Sequence, residues 1–248
     1  MSDALRGDET GACMGVESRL LAYDWAKLQD ALNHNGYAVL SRFLQPVECA
    51  ELSAFYDQED YFRSRIHMAK YGFGKGEYGY FKYPLPFLIN QFRQNLYPYL
   101  ARIANGWNQQ WGNDKIYPPE HQLFLEQCWQ QNQIRPTPLL LKYGPGDYNS
   151  LHQDIYGDLV FPLQLAVLLS APDEDFTGGE FILTEQRPRM QSRAEVVSLQ
   201  KGDAVIFPVH HRPAQGSRGP YRVMHKHGVS RIKTGQRYTL GLIFHDAS

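Results

Sequence analysis

His152 and Asp154 close the stretch Thr137-Pro-Leu-Leu-Leu-Lys-Tyr-Gly-Pro-Gly-Asp-Tyr-Asn-Ser-Leu-His-Gln-Asp154, one residue apart. On a strand, residues i and i+2 share a face, so an imidazole nitrogen and a carboxylate oxygen here point at one spot. Such a pair can hold a metal ion. A second histidine from a neighbouring strand would complete a 2-His-1-carboxylate facial triad, which leaves coordination positions open and suits iron(II) that activates dioxygen. An H-x-D triplet alone is weak, because most are accidents of a polar surface. The second histidine therefore carries the argument.

His210, His211 and His227 are the candidates. If the metal takes 2-oxoglutarate by its keto acid end, the distal carboxylate needs a cation at a fixed distance, best a planar arginine. His227 offers one: Val223-Met-His-Lys-His-Gly-Val-Ser-Arg-Ile precedes the turn Lys233-Thr-Gly-Gln236 and then Arg237. Read as a hairpin, this puts His227 and Arg237 on adjoining strands. His210 and His211 lie in the more turn-like Pro208-Val-His-His-Arg-Pro213 and read as solvated or supporting groups; His225 receives no role.

The elements that must position these groups follow from pattern. Residues 1–16 are poor in large apolar groups and read as a flexible leader. Asp24 is a helix N-cap, Trp25, Leu28 and Leu32 recur at helical spacing, and Gly36 suits the C-terminal left-handed position. Tyr37 to Leu40 reads as a strand, and Pro46 opens a second helix. Phe87 to Asn108 predicts a helix interrupted or kinked at Pro98, and Glu120 to Gln131 a shorter one. From Arg135 onward the chain breaks into short β-rich runs: 163–169, 179–183, 194–199, 203–208, 223–229 and 238–245. Helices followed by strands predict an α+β protein with a sandwich or barrel in its C-terminal half.

Composition narrows the class. The net charge of −1 gives no global case for nucleic acid, so such contact must come from a local patch. One candidate exists. Between Tyr61 and Tyr83 eight aromatics are interleaved with Arg63, Arg65, Lys70, Lys75 and Lys82, opposed only by Glu77. Arg63, Arg65, Tyr71, Tyr78 and Tyr80 could contact an extruded base or single strand. The same stretch also reads as a half-buried hairpin or a glycine-rich lid. Cys13, Cys49 and Cys128 are scattered, and no apolar run approaches membrane length, so the expected setting is a cytoplasm without membrane attachment.

Five segments together carry a resemblance. His152-x-Asp154, Phe176-Thr-Gly-Gly-Glu-Phe181, Lys201-Gly-Asp-Ala-Val-Ile-Phe207, His227-Gly-Val-Ser-Arg-Ile and Gly235-Gln-Arg-Tyr-Thr-Leu-Gly resemble the Fe(II)/2-oxoglutarate-dependent dioxygenases. Arg135 to Tyr148 and the C-terminal Ile-Phe-His-Asp-Ala are most similar to a bacterial family named for oxidative demethylation of damaged DNA, related to AlkB and prolyl hydroxylases. The resemblance implies a double-stranded β-helix (jelly roll) buttressed by N-terminal helices, in one domain over 17–248: helical to about 134, jelly roll from about 135. It implies His152, Asp154 and His227 as Fe(II) ligands, Arg237 as anchor of the 2-oxoglutarate distal carboxylate, and Tyr143 and Thr239 as its supports. The Gly178-Gly179 pair is a turn feature there, and Glu180 is not a ligand. Dioxygen is the oxidant and ascorbate an outside reductant. The implied reaction converts 2-oxoglutarate to succinate while hydroxylating a C–H bond, with demethylation of alkylated nucleic-acid bases as the leading substrate reading. Peptidyl (prolyl-type) hydroxylation is an alternative, and a non-redox jelly-roll metal-binding module another. Nothing in the sequence bears on oligomeric state.

Overall fold

A computed structural model describes residues 15–217 and 219–248. Nearly all of the expected leader lies outside them, and Val16 already opens a helix. Five α-helices, α1 (Val16–Leu21), α2 (Trp25–Asn35), α3 (Pro46–Ala54), α4 (Phe87–Gln110) and α5 (His121–Gln130), pack beside fifteen strands. The strands are β1 (Ala38–Leu40), β2 (Phe62–His67), β3 (Gly74–Lys75), β4 (Glu77–Phe81), β5 (Leu139–Tyr143), β6 (Tyr148–His152), β7 (Leu163–Leu168) and β8 (Phe176–Gly178). They continue as β9 (Phe181–Gln186), β10 (Arg193–Val197), β11 (Ala204–Pro208), β12 (His211–Gly216), β13 (Gly219–Val229), β14 (Ile232–Gly235) and β15 (Arg237–Leu242).

The strands form a mixed helix-and-sheet protein in which every named strand pair is antiparallel. A seven-stranded sheet runs β1-β11-β7-β15-β5-β4-β2; a six-stranded sheet runs β10-β9-β13-β6-β3 with β12 also on β13; β14 and β8 pair alone. The larger sheet is apolar on both faces. Leu163, Leu165 and Val167 of β7 join the core shared with α4, whereas Ala166 and Leu168 join Phe181, Leu183 and Val229 of the smaller sheet. That alternation follows from the two-residue period of a strand buried on both sides. Strands from the N-terminal half complete the sheets: β1 flanks β11, β4 flanks β5 and β3 flanks β6. The sheets thus draw strands from both sides of residue 135.

Local signals explain most elements. Asp24 accepts from the Lys27 amide at the start of α2, and Gly36 ends it at φ +81°. A Cβ on Gly36 would also stand 2.4 Å from His225 Cε1, so glycine is required twice over. Helix α4 does not break at Pro98; it is one 24-residue helix. Phe92, Leu96, Leu100 and Ile103 bury one side of it, and this tertiary packing outweighs the amide bond that proline removes. Of Pro208 to Pro213, read as turn-like from sequence, Pro208 ends β11 and His211 to Pro213 open β12 against β13. Lys233 to Gly235, expected to turn between two adjoining strands, lies in β14 and pairs with β8. His227 and Arg237 therefore stand on different sheets, β13 in the smaller and β15 in the larger.

Candidate active site

Strands β6 and β13 meet with His152 and His227 as register partners, their ring centroids 4.2 Å apart. Asp154 lies two residues beyond the end of β6. Its Oδ2 is 3.3 Å from His227 Nε2 and its Oδ1 3.5 Å from His152 Nε2. Ligand atoms of the three side chains all fall within 4.8 Å of one another, so they converge on one point. His152 Nδ1 lies 2.8 Å from the Ser150 carbonyl, a contact that requires a proton on Nδ1 and leaves Nε2 as the nitrogen that faces Asp154. Burial opposes ionisation of Asp154, but the hydrogen bond with His152 and the charge of His227 outweigh it and hold the carboxyl well below the usual range. Burial and the neighbouring His152 keep His227 below the ordinary imidazole value. An ionised carboxylate beside two imidazole nitrogens is the donor set that a divalent transition metal takes.

The triad opens into a cavity of about 200 Å³, whose wall includes Tyr78, Tyr143, Gln164, Phe207, Arg237 and Thr239. Arg237 is almost wholly buried, its guanidinium bonds the Thr239 hydroxyl, and Nε has no protein partner. Burial brings its pKa down to about 10, which leaves it cationic at neutral pH. Tyr143 is the cross-strand partner of Arg237, and its hydroxyl accepts a 3.3 Å bond from Asn149 Nδ2. The tight approach at Gly179 explains the Gly178-Gly179 pair: both have positive φ, and a Cβ at Gly179 would stand 2.3 Å from Ile232 Cδ1. Glu180 bonds Ser230, outside the triad.

The aromatic stretch divides. Tyr78 lines the cavity, as does Phe73, on which Tyr71 stacks at 5.5 Å and 20° with both rings exposed. Tyr80 is buried edge-on to Tyr78 and Tyr156. Arg63 lies over the Tyr80 ring at 4.4 Å and donates to the Pro136 carbonyl. Arg65 does not reach the cavity: it pairs with Glu59 and lies over Tyr56 and Phe62. Its side chain covers the aromatics Tyr56 and Phe62 and pairs with Glu59, which is exposed at the surface. The rings of His210 and His211 lie 3.6 Å apart, tilted at 45°, near Arg222 in a separate depression, and His225 is buried between Gly36 and Arg212. Two groups escaped the sequence reading. Tyr156 donates a 2.7 Å bond to Asp154, and Gln164 interrupts the apolar β7; the second was visible as the single polar residue of that run.

A family model described as "Oxygenase, catalysing oxidative methylation of damaged DNA" matches residues 76–247. An uncharacterised protein of Mycobacterium tuberculosis, known from two strains, is 46% identical over 168 residues, covering 68% of this chain and 72% of its own. Among solved structures, a Pseudomonas putida prolyl-4-hydroxylase aligns with TM-score 0.51 and 15% identity over 90% of this chain and 99% of that one. A Trichoplax adhaerens prolyl hydroxylase, solved with a hypoxia inducible factor peptide fragment, aligns at 0.54 and 15% over 92% and 89%. A Burkholderia pseudomallei oxidoreductase of the 2OG-Fe(II) oxygenase family aligns at 0.51 and 13% over 92% and 94%. At these identities the structures speak for the fold; the family match speaks for the chemistry. The chain belongs to this oxygenase family and is an oxidoreductase.

Proposed function

We propose that His152, Asp154 and His227 hold Fe(II), that Arg237 with Thr239 and Tyr143 receives the distal carboxylate of 2-oxoglutarate, and that the substrate is an alkylated nucleic-acid base. The observation that carries the reading is the convergence of the triad in the same cavity that Arg237 enters from the facing sheet. The two facing antiparallel sheets support a double-stranded β-helix, in one catalytic domain over residues 17–248. Iron, when bound with 2-oxoglutarate and dioxygen, would supply the oxidising power for decarboxylation of the keto acid to succinate and carbon dioxide, with one oxygen atom going to succinate and the other to a nearby C–H bond. The chain's own groups do the rest. Arg237 offers a cation in a low-dielectric site, where it is worth more than in water. The buried Tyr143 phenol, pushed up by burial, stays protonated. Phe181, Phe207 and Val229 keep the wall dry.

The substrate reading rests on the family description and on Tyr71 and Phe73, a flat exposed pair at the mouth on which a base can stack, with Tyr78 and Tyr80 deeper and Arg63 behind them. An N-methyl carbon hydroxylated there leaves as formaldehyde. Among the described residues no helix is long and apolar enough to cross a membrane, and the buried free thiols Cys49 and Cys128 fit the cytoplasm we propose. The test is turnover with Fe(II), 2-oxoglutarate and ascorbate, the outside reductant we propose, on methylated single-stranded oligonucleotides. Succinate and formaldehyde should form together and require Asp154 and Arg237. Turnover on proline-containing peptides alone would move the substrate to a protein, and succinate from neither would remove the enzyme reading itself.

A further inference from the structure

Gln164 is the only polar residue of β7 and is 2% exposed. By the strand's alternation it shares the face of Ala166 and Leu168, which looks toward the smaller sheet. Its register partner is Phe207, whose ring stands 4.7 Å from that of His227, so Gln164 sits at the level of the triad on the opposite wall. It lines the triad's cavity, and its Nε2 has no hydrogen-bond partner. A buried amide donor left unpaired is costly, and native sites keep such groups where a ligand completes them. The cavity's other carboxamides are already engaged: Asn149 Nδ2 with the Tyr143 hydroxyl at 3.3 Å, and Gln153 Nε2 with the His225 carbonyl at 2.7 Å.

Spacing indicates what Gln164 meets. Arg237 bonds Thr239, and Thr239 is level with Leu168 on β7, four residues from Gln164. At about 3.3 Å per residue this is about 13 Å. A five-carbon dicarboxylate with one hydrogen bond of about 2.9 Å at each end fills that interval. Among the described residues Arg237 is the only Lys or Arg side chain on the cavity wall, so the metal-side end of such a ligand must rely on the metal and neutral donors.

Resting on the reading above, we propose that Gln164 donates a hydrogen bond from Nε2 to the metal-side carboxylate of 2-oxoglutarate, so that the co-substrate is gripped at both ends, by Arg237 and by Gln164. A donor to a charged acceptor is the stronger kind of hydrogen bond, and its loss should weaken binding about 10- to 100-fold.

The experiment uses full-length protein loaded with Co(II) and measures binding of 2-oxoglutarate and of oxalate, which reproduces only the metal-side end. Gln164→Leu should weaken both ligands, while its Co(II) affinity and unliganded melting temperature stay at or above wild type, since an orphaned polar group has been removed. Gln164→Glu, which sets like charge against the carboxylate, should lose more. Arg237→Met should weaken 2-oxoglutarate and leave oxalate unchanged. Gln164→Leu binding oxalate as wild type does, or losing Co(II) affinity in parallel, overturns the assignment. Should Gln164→Leu not fold, Gln164→Asn, which withdraws the amide by one methylene, must show the same two-ligand loss. A wild-type protein that binds Co(II) but neither ligand overturns the co-substrate reading, and this inference with it.

Discussion

The Tyr156 hydroxyl donates a 2.7 Å hydrogen bond to Oδ1 of Asp154, two residues before it in the chain. The carboxylate thereby has Oδ1, the oxygen nearer His152, tied to the protein, leaving Oδ2 to face His227. Tyr156→Phe should lower Fe(II) or Co(II) affinity by about 10-fold or more, the usual effect of removing a group that orients a ligand. Calorimetric titration of the unfolding-competent variant checks it, and unchanged affinity would show that Asp154 is oriented by packing alone.

Arg237→Lys keeps the charge but loses the fork that reaches Thr239. The 2-oxoglutarate concentration for half-maximal turnover should rise at least about 10-fold, because a point charge does not replace bidentate carboxylate contacts. Saturation kinetics with 2-oxoglutarate as the varied component measure this.

Arg93 and Asp246 form a buried pair at 2.7 Å, to which Tyr83 and Trp129 also bond. Arg93→Met should destabilise the fold by about 3–5 kcal/mol, since it strands a buried carboxylate. Urea unfolding at neutral pH reads the loss. The effect on metal affinity should be small, as neither residue touches the triad.

Stability should fall in mild acid. Burial holds His121 well below the ordinary imidazole value and His245 at about 4. Both are depressed relative to the unfolded chain, at about 6.5. The stability they contribute is complete above about pH 6.5 and is lost as pH falls toward 4, because the unfolded chain takes up protons that the folded one refuses. Urea midpoints between pH 7.5 and 5 should decline, and His121→Gln should flatten part of that slope.

How much of this was legible in the sequence depended on the range of the interaction. The caps of α2, the proline start of α3 and most strands of the C-terminal half were local and could be read. His152 with Asp154 was visible because the two are neighbours in sequence, although Asp154 lies past the end of β6 and not on it. The choice of His227 beside His152 rested on spacing and resemblance; in the fold the two are cross-strand neighbours. What failed was non-local. The route from His227 to Arg237 looked like a hairpin because its turn chemistry was good, but β14 found β8 instead, a choice made by Thr177, Gly178 and Ile232 meeting across a long sequence separation. Arg65 looked free because nothing nearby in sequence opposes it except Glu59, whose position only folding reveals. Gln164 was a visible anomaly whose meaning needed the facing wall.

Because the proposed metal ligands hang from one sheet and the arginine from the other, the length of ligand the cavity admits is not fixed by either set of residues. It is set by the apolar spacers between the walls, Phe181, Phe207, Leu168 and Val229 among them. A single methylene gained or lost there changes the gauge of the cavity, so selectivity among keto acids of different chain length can evolve in the packing, with every polar contact group left in place.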